Sequence, residues 1–167
     1  MSFANRASAK VFRDKLEIPV IQGGMGVGIS MGKLAGSVAA CGGMGVISTA
    51  LIGFREEDFY QNHVEADVRA LRKEIQIAKE IANGRGMIAI NAMTVTTDYR
   101  ECIEAAVREG IDAIISGAGL PLALPELVDG KDVLIAPIVS SAKAAALIMR
   151  SWNKKCERKP DFIVVEG

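Results

Sequence analysis

Ile18-Pro-Val-Ile-Gln-Gly-Gly-Met-Gly-Val-Gly-Ile-Ser30 begins as an apolar, β-branched run and breaks into glycines just ahead of a helix-like stretch. The run predicts a buried strand over Ile18 to Gln22. Gly23, Gly24, Gly26 and Gly28 predict a loop whose backbone, rather than side chains, lines whatever lies beyond that strand. The spacing Gly24-x-Gly26-x-Gly28 is not the dinucleotide fingerprint, which needs two more residues before its last glycine. Taken alone, the loop has two readings: a ligand loop at the carboxyl end of a parallel strand, or glycines that only turn a strand tightly into a helix.

The chain repeats this strand-then-helix pattern. Met44-Gly-Val-Ile-Ser-Thr49, Met87-Ile-Ala-Ile-Asn91, Asp112-Ala-Ile-Ile-Ser116, Asp132-Val-Leu-Ile-Ala-Pro-Ile138 and Asp161-Phe-Ile-Val-Val165 predict strands two to six. Lys33 to Ala40 predicts a small-residue helix stopped by Gly42-Gly43. In the strongest helix, Val64, Val68, Leu71, Ile75, Ala78 and Ala82 share one face, and Asn83-Gly84 ends it. A third helix starts at Thr97, turns Ile103, Ala106 and Val107 inward, and closes at Gly110. A short one spans Pro121 to Val128, and a fifth runs from Ala142 to Met149 behind Ser140-Ser141 at the N-cap. Asn153 to Pro160 reads as a polar connection. The longest one, Leu51 to Asn62, holds Phe54, Phe59 and Tyr60, and connections of that length often serve a site. Residues 1–17 read as an N-terminal extension whose Phe3, Val11, Phe12 and Leu16 either cap one end of the core or lead into the first strand.

Strands separated by helices return in the same direction, so the sheet is expected to be wholly parallel and the 167 residues a single unit. An open doubly wound sheet and a (β/α)8 barrel both share this pattern. Small or polar groups at the carboxyl ends decide between them: Gly23-Gly24, Ser48-Thr49, Asn91, Gly117-Ala-Gly119, Ser140-Ser141 and Glu166-Gly167. A doubly wound site concentrates such groups at one switch point, whereas a barrel mouth spreads them over every strand. The expectation is an incomplete TIM barrel with six of its eight strands.

Composition narrows the function. The chain is 50% hydrophobic and only 5% aromatic, the profile of an Ala/Ile/Val/Gly-rich α/β protein. Its 20 basic and 20 acidic side chains cancel, which argues against a nucleic-acid partner. No apolar run approaches bilayer length, and Arg6, Lys10 and Arg13 are not followed by the apolar core of a secretory signal, so no membrane partner and a cytoplasmic address are expected. Cys41, Cys102 and Cys156 are far apart and odd in number, giving neither a disulfide frame nor a metal site; reduced, buried thiols are expected. His63 reads as a surface or cap residue.

Taken together, Ile-Gln-Gly-Gly-Met25, Gly-Gly-Met-Gly-Val46, Ile-Asn91, Ser-Gly-Ala-Gly-Leu-Pro121, Ile-Ala-Pro-Ile-Val139 and Val-Val-Glu-Gly167 resemble the nitronate monooxygenase family, formerly 2-nitropropane dioxygenases. That family includes the FMN-dependent enoyl-acyl-carrier-protein reductases, and the similarity runs from about Ile18 to Gly167. It implies FMN held at the barrel mouth. Gly23, Gly24 and Met25 would lie along the flavin, Asn91 would offer its amide to the ring or ribityl chain, and Glu166 with Gly167 would meet the ribityl hydroxyls or ring edge. Bottom-up, an amide suits a ring edge that carries both donors and acceptors; Asn91 is equally suited to bonding local backbone, and Met25 to packing the mouth. The family's catalytic histidine and its phosphate loops would follow Gly167, so the resemblance gives this chain no catalytic residue. The chain is therefore expected to be the N-terminal portion of a longer barrel.

The resemblance implies an FMN-dependent oxidoreductase that oxidises a small nitronate with O2, or alternatively an enoyl thioester reductase using NAD(P)H. An open partial barrel also leaves two edges and one sheet face to be covered. The remainder of the barrel or a second copy would cover them, and a noncatalytic, partner-dependent scaffold is the reading from another class.

Overall fold

A computed structural model describes Phe12 and residues 15–166; the expectations for Phe3, Val11 and Gly167 fall outside those residues. Its elements alternate as α1 (Gly32–Ala40), β1 (Met44–Ser48), α2 (His63–Ala82), β2 (Met87–Met93), α3 (Tyr99–Arg108), β3 (Ala113–Gly117), α4 (Leu124–Leu127), β4 (Leu134–Val139), α5 (Ala142–Cys156) and β5 (Val164–Val165). Every neighbouring pair is parallel, and the strands lie side by side in sequence order.

The five strands are the expected second to sixth. The expected first strand is reduced to one bridge, Ile21 to Met44. Two backbone bonds hold it there, Met44 N–H to the Val20 carbonyl at 2.9 Å and Gln22 N–H to the Met44 carbonyl at 3.0 Å. Behind the bridge Val20 N–H turns to the Ile18 carbonyl at 2.7 Å instead of to the neighbouring chain, and at Gly23 the chain leaves the sheet.

Successive strand residues face opposite sides. Ile47, Ile88, Ile90, Ile114 and Ile135 face outward and pack with Leu71, Ile75, Ile103 and Ile148 of the helices. Gly45 must be glycine: a Cβ there would stand 1.8 Å from the Ala35 carbonyl oxygen of α1. On the concave side, Met44, Val46, Met87, Ala89, Ala113, Ile115, Leu134 and Ala136 form a second core. The sequence reading left a sheet face bare, but Phe12, Leu16 and Phe162 pack on this one, with the Phe12 and Phe162 rings 5.0 Å apart. Phe12 and Leu16 thus cap the end of the core at which the strands begin. Lys15 Nζ meets Asp112 Oδ1 at 2.6 Å beside the start of β3, and Arg85 meets Glu17 at 2.8 Å before β2.

Two further expectations change. The last helix continues to Cys156, through much of the stretch read as a polar connection, because Trp152 is buried on its inner side and donates Nε1–H to the Pro121 carbonyl at 2.9 Å. Cys102 is buried, but Cys41, in the turn after α1, is exposed, and Cys156 is half-buried. No described helix is long and apolar enough to cross a membrane, and the described residues contain no group of three metal-ligating side chains.

Candidate active site

A cavity of about 430 Å³ opens at the carboxyl ends of the strands, between the concave face and the glycine loop. Each of the five strands sends one side chain into it: Val46, Asn91, Ile115, Ile138 and Val164. Four are aliphatic, and Asn91 is the one polar group. Ile21 to Met25 form one wall, and Phe162, Ile163 and Glu166 form another. A concave, mainly apolar space with a few convergent polar groups is how small-ligand sites are built.

The polar groups come from the glycine loop and β2. Asn91 Nδ2 donates to the Gly24 carbonyl at 3.2 Å, and the two residues touch closely enough that a Cβ on Gly24 would stand 2.4 Å from Asn91 Cβ. One half of the amide therefore bonds local backbone. Its Oδ1, and the N–H groups of Gly23 and Gly24, make no hydrogen bond among the described residues. Met25 is exposed, 63% of its surface facing solvent. Glu166 is also exposed, lines this cavity and the neighbouring cleft of Ala118, Gly119, Leu120 and Ser140, and donates its backbone N–H to the Val139 carbonyl at 3.0 Å. Gly23, Gly24, Met25, Asn91 and Glu166 thus share one cavity; Gly167 is outside the described residues.

The remaining strand-end groups build the mouth. Thr49 accompanies its backbone bond to the Asn91 carbonyl with Oγ1 at 3.2 Å, and Ser141 Oγ accepts from Ala144 N–H as the cap of α5. His63 is exposed at the start of α2, with Nε2 2.9 Å from Thr97 Oγ1, and does not line the cavity. The long connection after β1 is anchored by the buried Asp67 of α2, whose Oδ1 accepts from Gly53 N–H at 2.6 Å. Burial pushes the Asp67 carboxyl up from its ordinary range; the bond from Gly53 opposes this, and the charge of Asp98 adds to it.

Sequence reasoning missed three residues. Gln22 and Ser30 hold the glycine loop, and Phe162 walls the cavity. A polar Gln closing an apolar run was the available signal for the first; nothing local marks the other two.

A curled, wholly parallel sheet with helices outside and a cavity at the carboxyl ends of its strands defines an α/β barrel protein, incomplete at five strands. The sequence matches the nitronate monooxygenase family over residues 9–167, and the chain belongs to that family. FabK from Thermotoga maritima superposes with a TM-score of 0.70 at 21% identity, covering 94% of this chain and 43% of its own. Nitroalkane oxidase from Streptomyces ansochromogenes superposes at 0.70 with 12% identity, covering 92% of this chain and 47% of its own. At these identities the likeness is one of fold, and the chain spans less than half the length of either structure. No curated protein sequence matches it.

Proposed function

We propose that this chain forms the flavin-facing part of an FMN-dependent oxidoreductase that oxidises a small nitronate with O2. The observation that carries the reading is the Asn91 amide beside the unbonded N–H groups of Gly23 and Gly24, on an otherwise aliphatic floor. An isoalloxazine ring has apolar faces and an edge of alternating donors and acceptors. Two amide donors and one amide oxygen answer that edge, and Val46, Ile115, Ile138 and Val164 answer the face, so the residues present fit the group.

FMN would supply electron acceptance from a substrate carbon and reoxidation by O2. This chain's residues would orient and shield it. Gly23 and Gly24 would donate to the ring edge and Asn91 Oδ1 would accept from it. The strand side chains would exclude water from beneath, and Glu166, at the rim, would accept from ribityl hydroxyls. No histidine lines the cavity among the described residues, and the proton of the substrate carbon is not assigned to this stretch.

A second reading keeps FMN and changes the substrate to an enoyl thioester reduced by NAD(P)H. It is favoured by the exposed apolar side chains of the loops at the mouth: Met25, Val27, Ile29, Leu51, Val95 and Leu120. Such a rim suits a substrate with an apolar tail better than a short nitronate.

Titration of the purified protein with FMN, followed by flavin fluorescence, tests the cofactor. Saturable quenching is the expected result. Oxygen uptake driven by a short-chain nitronate alone then supports the monooxygenase; anaerobic bleaching by NADPH without nitronate supports the reductase. Absence of any flavin binding would overturn both and favour a partner-dependent, noncatalytic domain.

A further inference from the structure

The glycine loop does not hold its shape through its own backbone ladder. It is clipped by two side chains. Ser30 is buried to 1% exposure, and its hydroxyl uses its full capacity of one donor and two acceptor sites. It donates to the Gly23 carbonyl at 3.0 Å and accepts from Met25 N–H at 2.8 Å and from Gln22 Nε2 at 2.9 Å. The backbone closes the same loop, with Ser30 N–H on the Met25 carbonyl at 2.9 Å, and ties it to β1 through Ser48 N–H on the Ser30 carbonyl at 2.9 Å.

Gln22 performs the complementary task. Where the main chain has left the sheet, its side-chain amide stands in for a strand residue opposite Val46: Oε1 accepts from Val46 N–H at 3.0 Å, and Nε2 donates to the Val46 carbonyl at 3.1 Å. Nε2 also reaches the Gly23 carbonyl. The donors and acceptors on the inner side of the loop are thereby consumed by Gln22 and Ser30. The N–H groups of Gly23 and Gly24, residues that line the cavity, remain without a partner among the described residues.

We propose that Gln22 and Ser30 are positioning residues for the cofactor loop, fixing the Gly23 and Gly24 amides toward the flavin ring edge before the flavin arrives. This rests on the FMN reading above. A loop of four glycines among residues 23–28 otherwise loses much backbone entropy on ordering, and a preset loop removes that cost from binding.

The test compares the parent with Ser30→Ala, Ser30→Thr and Gln22→Glu in the full chain. FMN dissociation constants and amide hydrogen exchange over residues 23–30 are measured for each, with circular dichroism as the check of folding. Removing the hydroxyl takes one part-buried hydrogen bond from each of Gly23, Met25 and Gln22 and loosens the loop, so Ser30→Ala is expected to weaken FMN binding about tenfold or more and to speed exchange in the loop without flavin present. Ser30→Thr, which keeps the hydroxyl, is expected to bind as the parent does. Gln22→Glu keeps the acceptor for Val46 N–H and loses the donors. It is expected to weaken binding similarly, and it gives the decisive value if Ser30→Ala fails to fold. Parent-like FMN affinity in the folded variants overturns the positioning role while leaving the FMN reading intact. A parent that takes up no FMN overturns the FMN reading, and the positioning role with it.

Discussion

Asp67 holds a carboxyl where water does not reach, with the backbone N–H of Gly53 as its partner and the charge of Asp98 near it. Its folded value is raised above the ordinary carboxyl value of about 3.9. Between those two values the folded chain keeps a proton that the unfolded chain has released. The stabilisation is therefore fully present below the ordinary value and is lost as pH rises through the raised one. Asp67→Asn keeps an oxygen for Gly53 N–H and cannot ionise. Its urea midpoint is expected to fall less than the parent's as pH rises from about 3.9, and an equal fall in both would remove Asp67 as the cause. Asp67 was invisible to sequence reasoning, because a polar residue in the first turns of an amphipathic helix is normally solvated. Asn91 was legible as a strand-end amide, yet the sequence left its two uses open. The geometry divides them between the halves of one side chain: Nδ2 on Gly24, and Oδ1 free of partners among the described residues. Gln22 stood inside the most informative stretch of the chain and was still overlooked. Its role depends on Val46, twenty-four residues on, and on a ladder that the backbone abandons.

Elements with a strong apolar pattern were read within a residue or two. β1 to β4 are near-continuous apolar runs buried on both faces, and the long α2 carries the 3.6 period of an amphipathic helix. Errors came where an element depends on a distant partner. α5 outran its apolar stretch because Trp152, three residues past Met149 and just ahead of the polar stretch, is buried and anchors on Pro121. Trp152→Phe keeps the ring burial and removes the N–H, leaving the Pro121 carbonyl with the Leu124 N–H alone at 3.2 Å. The expected loss is about 0.5–1.5 kcal/mol in chemical denaturation, with helix content preserved by circular dichroism. A loss of helix content at low denaturant would mean that the indole bond is needed for the last turns to form at all. The first expected strand failed for the opposite reason. Its residues are right for a strand, but Val20 N–H bonds the Ile18 carbonyl and the chain turns away at the glycines, which leaves too few backbone groups to pair.

At the scale of the whole molecule, the parallel α/β layout and the barrel-type distribution of strand ends were legible. The filling of the concave face was not. Phe12 and Leu16 read as extension residues that either cap one end of the core or lead into the first strand, and they lie against Phe162 and the inward strand residues from the far side of the sequence. Phe12 is half-buried, so Phe12→Ala is expected to cost about 2 kcal/mol, less than the truncation of a fully buried Phe. It is also expected to increase binding of a hydrophobic dye such as ANS. Unchanged stability and dye binding would show that the concave core is sealed without it.

Strand order that repeats sequence order also bears on how the chain is made. A ribosome adds about 5–20 residues per second, and each strand that emerges finds its neighbour already in place. β2 can dock on β1, and β3 on β2, without waiting for a distant segment. The amide of Gln22 and the hydroxyl of Ser30 are synthesised before β1, so the glycine loop is available to clip onto the sheet as soon as Val46 and Ser48 clear the exit tunnel.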